Sequence, residues 1–145
     1  MNTLKKIKEG LKTQDVDDKH YMSWMGFEFA ISEFVRDYKE NDYKCDVIYG
    51  PPRGGLPIAV TLSHRLEIPI IQDYIERLGK TILVVDDIAD TGKTLEPLVG
   101  PNVIVYSIYY HPQSIVKPDC WIFENKGAWV VFPWEEDIYG YETNN

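Results

Sequence analysis

Cysteine is scarce in this chain. Cys45 and Cys120 are the two among 145 residues, and neither belongs to a CxxC pair. A cysteine-based metal knuckle and a disulfide-dense secreted scaffold are therefore excluded. The spacing permits one long-range disulfide, but the plain reading is two half-buried thiols in a reducing compartment. Long apolar runs are missing as well: a stretch such as 82–85 is far too short to cross a bilayer. The opening M-N-T-L-K-K-I-K-E-G has lysines with no apolar run behind them, so it does not read as a secretory signal. Positive charge is in short supply, with 15 Lys and Arg against 23 Asp and Glu and a net charge of −8. That balance argues against a generic electrostatic grip on nucleic acid or anionic lipid, while leaving room for a local basic pocket. Together these absences predict a soluble cytoplasmic protein with no nucleic-acid or membrane partner.

Aromatic residues, in contrast, are plentiful: 10 Tyr, 5 Phe and 4 Trp. That is more than a small core needs, so some are expected at a stacking site or an interface. An apolar fraction of 44% and a charged fraction of 26% are ordinary for a globular chain, and the length predicts a single domain over 1–145.

Residues 1–20 are polar and weakly patterned, with Leu4, Ile7 and Leu11 as a short amphipathic stretch. Ser23 reads as an N-cap, and Trp24, Phe27, Ile31, Phe34, Val35 and Tyr38 recur at helical spacing through Lys39. A strand over 46–49 ends in the loop G-P-P-R-G-G at 50–55, followed by a helix over 56–66 and a second strand over 68–71. The polar stretch 72–80 leads to the strongest strand, 81–85, which stops at Asp86-Asp87. A Gly-containing loop then reaches a short helix near 94–98, limited by Pro97. Strands follow at 102–110, 120–123 and 129–132. Strands alternating with short helices predict an α/β fold with a parallel, Rossmann-like sheet flanked by helices, whose ligands bind at the C-terminal strand ends.

Both loops of chemical interest leave such ends. Residues 82–94 read I-L-V-V-D-D-I-A-D-T-G-K-T. A hydrophobic strand delivers two adjacent carboxylates, a third follows three residues later, and Thr-Gly-Lys-Thr comes at an expected helix start. The Thr91 and Thr94 hydroxyls and the backbone N–H groups of the turn can cradle a phosphate. Asp86 and Asp87 repel each other unless a cation or hydroxyl donors intervene, and a ribose diol with Mg²⁺ supplies both. A Walker A loop would require Gly at position 87, where Asp stands. A receiver domain also ends its first strand in an acidic pair, but this pair lies mid-chain and runs into D-T-G-K-T. In the earlier loop, Pro51 and Pro52 lack an N–H, so an anion would be held by the amides of Arg53, Gly54 and Gly55 and by the Arg53 guanidinium.

The stretch 82–94 resembles the phosphoribosyl-pyrophosphate-binding signature of the type I phosphoribosyltransferases. V-I-Y-G-P-P-R-G-G-L-P at 47–57 resembles that family's pyrophosphate loop. W-V-V-F-P-W-E at 129–135 resembles the C-terminal base-binding segment of its xanthine–guanine and hypoxanthine branch. The resemblance covers about residues 46–135. It implies the family's fold with a small C-terminal β hood, a cis bond at Pro52–Arg53, and Asp86 and Asp87 facing the ribose hydroxyls and Mg²⁺. It further implies Asp90 as the acid/base residue near purine N7, and a 5′-phosphate held by residues 91–94 (Thr91, Gly92, Lys93, Thr94) with Ala89 beside them. Trp129 would stack on a purine and the Val130 backbone would read its edge. Trp134 is the better candidate for core or interface, and Glu135 would help hold a metal-bound water.

Two departures stand out. The 6-oxopurine branch presents a Lys before a Pro at the end of the strand after the phosphate loop; here the segment is I-Y-Y-H-P, which puts His111 at that position, where imidazole can still donate to the base O6. The family's longer mobile loop between the second and third strands is reduced to 72–80, with Asp73-Tyr74 as a remnant of its dipeptide. The resemblance implies transfer of ribose 5-phosphate from phosphoribosyl pyrophosphate to a 6-oxopurine, with Mg²⁺ as cofactor and a homodimer or homotetramer as the assembly. Two other readings stay open: a non-catalytic nucleotide-binding regulator on the same scaffold, favoured by the short loop, and a transferase for another nucleobase, favoured by His111.

Overall fold

The computed structural model describes residues 19–135 together with the backbone of 12–16; the stretch with Leu4, Ile7 and Leu11 lies outside the described residues. Two compact units are present, one formed by residues 30–126 and one drawn from the two ends of the chain.

The central unit is built on four parallel strands, β3 (Val47–Tyr49), β4 (Ile82–Ala89), β5 (Val103–Tyr110) and β6 (Cys120–Glu124), adjacent in that order. A strand with parallel neighbours on both sides is covered on both faces, so it favours a near-continuous apolar run. Residues 82–85 of β4 meet this demand and are all buried. The strand does not stop at the acidic pair as the sequence predicts. Pairing with β5 continues through Asp86↔Ser107 and Ile88↔Tyr109 to Ala89↔Tyr110. The long β-branched and aromatic run of β5 carries the ladder past the low strand preference of aspartate.

The expected strand at 68–71 is reduced to a single parallel bridge, Ile48↔Ile70. Ile48 donates to the Pro69 carbonyl at 2.9 Å and Ile71 donates to the Ile48 carbonyl at 2.9 Å. Pro69 has no N–H to extend the ladder. The helix expected near 94–98 is a three-residue 3-10 turn, Glu96–Leu98, with Pro97 inside it.

The chain from β3 runs outward to Ile70 on one side of β3, and the next strand, β4, lies on its other side. Connections therefore diverge between β3 and β4. The C-terminal ends of these two strands form a topological switch point, the place where open α/β sheets bind ligands.

Helix α1 (Trp24–Glu40) begins as expected, with the Ser23 hydroxyl accepting the Gly26 N–H at 3.0 Å. Within the central unit it lays Ile31 and Phe34 into the core, where Phe34 stacks on Tyr106 of β5 with ring centroids 4.9 Å apart. The Tyr106 hydroxyl donates to Asp37 Oδ2 at 2.6 Å. Burial and the adjacent carboxylate push that phenol far above its usual range, so it stays protonated and keeps donating. Helix α2 (Leu56–Leu66) buries Ile58, Ala59 and Leu62 and ends at Glu67 in the left-handed conformation. Val47, Ile82, Val84, Leu95, Val105 and Val116 pack into a further cluster. Both cysteines are free thiols, Cys45 buried and Cys120 partly so.

The unit drawn from the ends contains a three-stranded sheet in which β1 (Lys12–Val16) pairs antiparallel with β2 (Lys19–Met22), and β2 pairs parallel with β7 (Trp129–Val131). This is the expected small β hood, but two of its strands come from an N-terminal segment whose sequence shows no strand pattern. Trp134 is a packing residue here: its ring lies 4.9 Å from Phe132 and 5.5 Å from Phe27.

Candidate active site

Three segments of the central unit line one cavity of about 270 Å³: Pro51, Pro52 and Gly54 from the loop after β3, Asp86 and Asp87 with Ile88 and Ala89 from β4, and Asp90, Thr91, Gly92, Thr94 and Leu95 from the turn after it. Arg53, Gly55 and Lys93 do not line this cavity. Arg53 and Lys93 are exposed, whereas Gly55 is buried.

The loop after β3 lies tight against β4. A Cβ at Gly55 would stand 2.6 Å from the Val85 carbonyl oxygen and 2.8 Å from the Pro51 nitrogen, both backbone atoms that cannot yield. A Cβ at Gly54 would stand 2.1 Å from Asp87 Oδ2. Only glycine lets the loop close over the carboxylate there. The Pro52–Arg53 peptide bond is cis.

The carboxylate pair sits on the strand itself. Asp86 is 6% exposed and accepts the Asp87 N–H on Oδ1 at 2.9 Å; Asp87 accepts the Ile88 N–H on its own Oδ1 at 2.8 Å. Burial, reinforced by the neighbouring Asp87, pushes the Asp86 carboxyl up to about 8. Burial raises Asp87 as well. Two adjacent carboxyls that face a cavity, both with raised proton affinity, form a site short of positive charge.

Beyond Ala89 the chain turns at Gly92, whose φ of +84° suits glycine. Lys93 donates its N–H to Thr91 Oγ1 at 3.3 Å and Glu96 donates to the Gly92 carbonyl at 2.8 Å. No α-helix follows this turn among the described residues, so an anion here would be held by hydroxyls and turn amides rather than by a helix terminus.

His111, on the segment after β5, donates its backbone N–H to the Ala89 carbonyl at 2.9 Å, and its Nδ1 accepts the Gln113 N–H at 2.9 Å. In the neutral ring this puts the remaining proton on Nε2. Gln113 Nε2 in turn donates to Asp90 Oδ1 at 2.9 Å. No motif marks Gln113 in the sequence; it is visible only through the register that sets the end of β5 beside the end of β4.

No family model matches the chain. A purine phosphoribosyltransferase of known structure from Pyrococcus horikoshii is 34% identical, superposes with a TM-score of 0.71, and the alignment covers 82% of this chain and 95% of that one. The chain belongs to the type I phosphoribosyltransferases. A xanthine-guanine phosphoribosyltransferase from Cereibacter sphaeroides is 26% identical over 145 residues, covering 76% of this chain and 87% of its own length. A xanthine-guanine-hypoxanthine phosphoribosyltransferase structure from Helicobacter pylori shares the fold, with 21% identity and a TM-score of 0.68. The chain is thus an enzyme of the pentosyltransferase class, on the α/β scaffold expected of it.

Against the phosphoribosyltransferase pattern, the segment 72–80 is not a reduced flap carrying Asp73-Tyr74 over the site. Asp73 caps the 3-10 helix Tyr74–Arg77, accepting the Ile75 N–H, while Glu76 reaches back to the Asp73 N–H. Tyr74 is half-buried, its ring 4.9 Å from Tyr49 and under the Arg77 guanidinium, and its hydroxyl donates to the Leu98 carbonyl. The dipeptide fastens the segment to the body of the unit. Tyr74→Phe is therefore expected to cost about 1 kcal/mol of stability in denaturant unfolding, the usual net worth of one hydrogen bond, and to leave turnover unchanged. A loss of turnover without a loss of stability would restore the flap reading.

Trp129, Val130 and Glu135 belong to the other unit. Trp129 is 71% exposed and presents a free indole, whereas Val130 is buried and pairs with His20. Glu135 Oε1 accepts the Phe132 N–H at 2.8 Å, a task within its own turn. Among the described residues no three His, Cys, Asp or Glu side chains gather as a metal cluster. A hard divalent cation that keeps its waters needs no such cluster, only one or two carboxylates and the phosphate oxygens of its ligand.

Proposed function

We propose that the chain transfers ribose 5-phosphate from phosphoribosyl pyrophosphate to a 6-oxopurine (guanine, xanthine or hypoxanthine), releasing pyrophosphate, in purine salvage. The observation that carries this reading is the convergence of the loop after β3 and the turn after β4 on one cavity at the sheet's switch point, with buried Asp86 and half-buried Asp87 between them.

The chemistry of this donor set fits Mg²⁺: two carboxylates with raised proton affinity, oxygen ligands only, beside a loop whose glycines let it close over Asp87. Mg²⁺ would be held by Asp86 and Asp87 and would supply charge neutralisation for the leaving pyrophosphate. The Gly54 amide and the Arg53 guanidinium bind that pyrophosphate; the Gly55 amide, expected to join them, is buried and spent on the Pro51 carbonyl at 2.9 Å. The Thr91 and Thr94 hydroxyls, with the turn amides from Ala89 through Gly92 and Lys93, orient the 5′-phosphate. Asp90, at the mouth of the cavity, holds the N7 proton of the purine and takes it as the glycosidic bond forms. Charge develops at the ribose in the transition state, so fixed positions and fixed dipoles carry the rate. His111 offers Nε2–H to O6, and Trp129 offers a stacking face with the Val130 backbone beside it. Segment 72–80 is too short and too well tied to shield the reacting centre, so a homodimer or homotetramer, in which a neighbouring subunit supplies cover, completes the account.

Trp129→Ala is expected to lose about 1–3 kcal/mol of nucleotide binding, the scale of one base stacked on an aromatic ring, with Trp129→Phe losing less. Calorimetry with guanosine monophosphate gives the answer, and equal affinities would remove Trp129 from the base site. The reading as a whole is tested by pyrophosphate release with a panel of bases. Guanine, xanthine and hypoxanthine should support turnover far better than adenine, and His111→Ala should erode that preference. Tight binding of phosphoribosyl pyrophosphate with no release on any base would favour the regulator reading, which the tied-down segment 72–80 also supports.

A further inference from the structure

The segment that follows β5 does not leave the site. His111 donates its backbone N–H to the Ala89 carbonyl and Ile115 donates to the Thr91 carbonyl, each at 2.9 Å, so the two residues flanking Asp90 are both latched to this segment. Ser114 donates to the His111 carbonyl at 2.9 Å and closes the turn between the two latches. The fit is close: a Cβ on Gly92 would stand 2.6 Å from Ser114 Oγ and 2.8 Å from the Val116 nitrogen.

Gln113 sits inside that turn and points back. Its backbone N–H donates to His111 Nδ1 and its side-chain Nε2 donates to Asp90 Oδ1, both at 2.9 Å. Asp90 is exposed, and an exposed carboxylate turns easily about its last torsion. An acid/base group that must meet one proton at one place loses rate when it turns. We infer that Gln113 is a positioning residue: it holds Oδ1 of Asp90 and leaves Oδ2 to face the base, while His111 fixes Gln113 through its backbone. This rests on the reading of Asp90 as the acid/base group.

The test compares Gln113→Met, Gln113→Glu and Asp90→Asn in the full chain with Mg²⁺, phosphoribosyl pyrophosphate and guanine. Gln113→Met keeps the length of the side chain and removes its donor. It should lower kcat by roughly tenfold, leave KM for phosphoribosyl pyrophosphate within about twofold, and unfold at the wild-type temperature. Gln113→Glu opposes Asp90 with a second carboxylate at high pH, but once protonated it donates again. Its kcat relative to that of Gln113→Met should therefore rise as pH falls from about 8 to about 5.5. Asp90 and His111 are the titratable groups hydrogen-bonded to position 113, and both are present in both variants, so the ratio isolates the new group. A wild-type kcat in Gln113→Met, or a ratio flat with pH, overturns the inference while Asp90→Asn stays impaired. Full activity in Asp90→Asn overturns the acid/base reading itself, and the inference with it.

Discussion

Asp90→Asn is expected to cut base-dependent pyrophosphate release by about 10²–10⁴-fold, the usual scale for a positioned general acid or base. Affinity for phosphoribosyl pyrophosphate should survive, because the residues assigned to its anions are the turn amides and hydroxyls around Asp90 rather than its carboxylate. Asparagine is nearly isosteric with aspartate, so the turn latched at Ala89 and Thr91 has no reason to move. The two quantities therefore separate: kcat falls and the ligand dissociation constant holds. If kcat fell and the dissociation constant rose together, Asp90 would be a ligand-binding residue and the N7 proton would have another handler.

The second large effect concerns stability. In the folded chain, burial and its neighbour keep the Asp86 carboxyl protonated up to about pH 8, whereas in the unfolded chain it ionises near an ordinary ~3.9. Between those values the folded state binds the additional proton, so stability must fall as pH rises through the window and level off on either side. Metal-free protein should accordingly show a denaturant midpoint that declines from about pH 5 to about pH 8. Asp86→Asn should flatten that decline and, at pH 9, stand above wild type by on the order of 3 kcal/mol, because an uncompensated buried charge has been removed. The same substitution, made at Asp86 and Asp87 together, should abolish the dependence of phosphoribosyl pyrophosphate binding on Mg²⁺. A buried carboxylate that destabilises its own fold is expected where function sets the residue. A wild-type midpoint flat with pH would mean that the pair is already compensated without a cation.

Much of this molecule could be read from its sequence, for reasons that differ by element. The start of α1 was legible because Ser23 acts locally, through a cap. The core of β4 was legible because four consecutive apolar residues have few alternatives at that length. Its true end was not, since the ladder through Asp86 and Asp87 depends on β5, a partner some twenty residues away that no local pattern announces. The same reason hid β1 and β2, whose polar residues become strands only through pairing with each other and with β7. At the site, the glycine loop and the D-D-x-x-D-T-G-K-T stretch announced themselves by residue types that few other tasks require. Gln113 did not, because a glutamine in a loop has many tasks and only three-dimensional register gives it this one. Asp73-Tyr74 invited an error of the opposite kind: a dipeptide in the right place for a flap serves instead as a cap and an anchor.

The most direct measurement is the fate of the ribosyl group. Protein incubated with Mg²⁺, phosphoribosyl pyrophosphate and guanine, then separated by chromatography, should yield guanosine monophosphate and pyrophosphate in equal amounts, with free ribose 5-phosphate as a minor product. Ribose 5-phosphate as the sole product, or an unconsumed ligand that calorimetry shows to be bound, would contradict transfer to a purine.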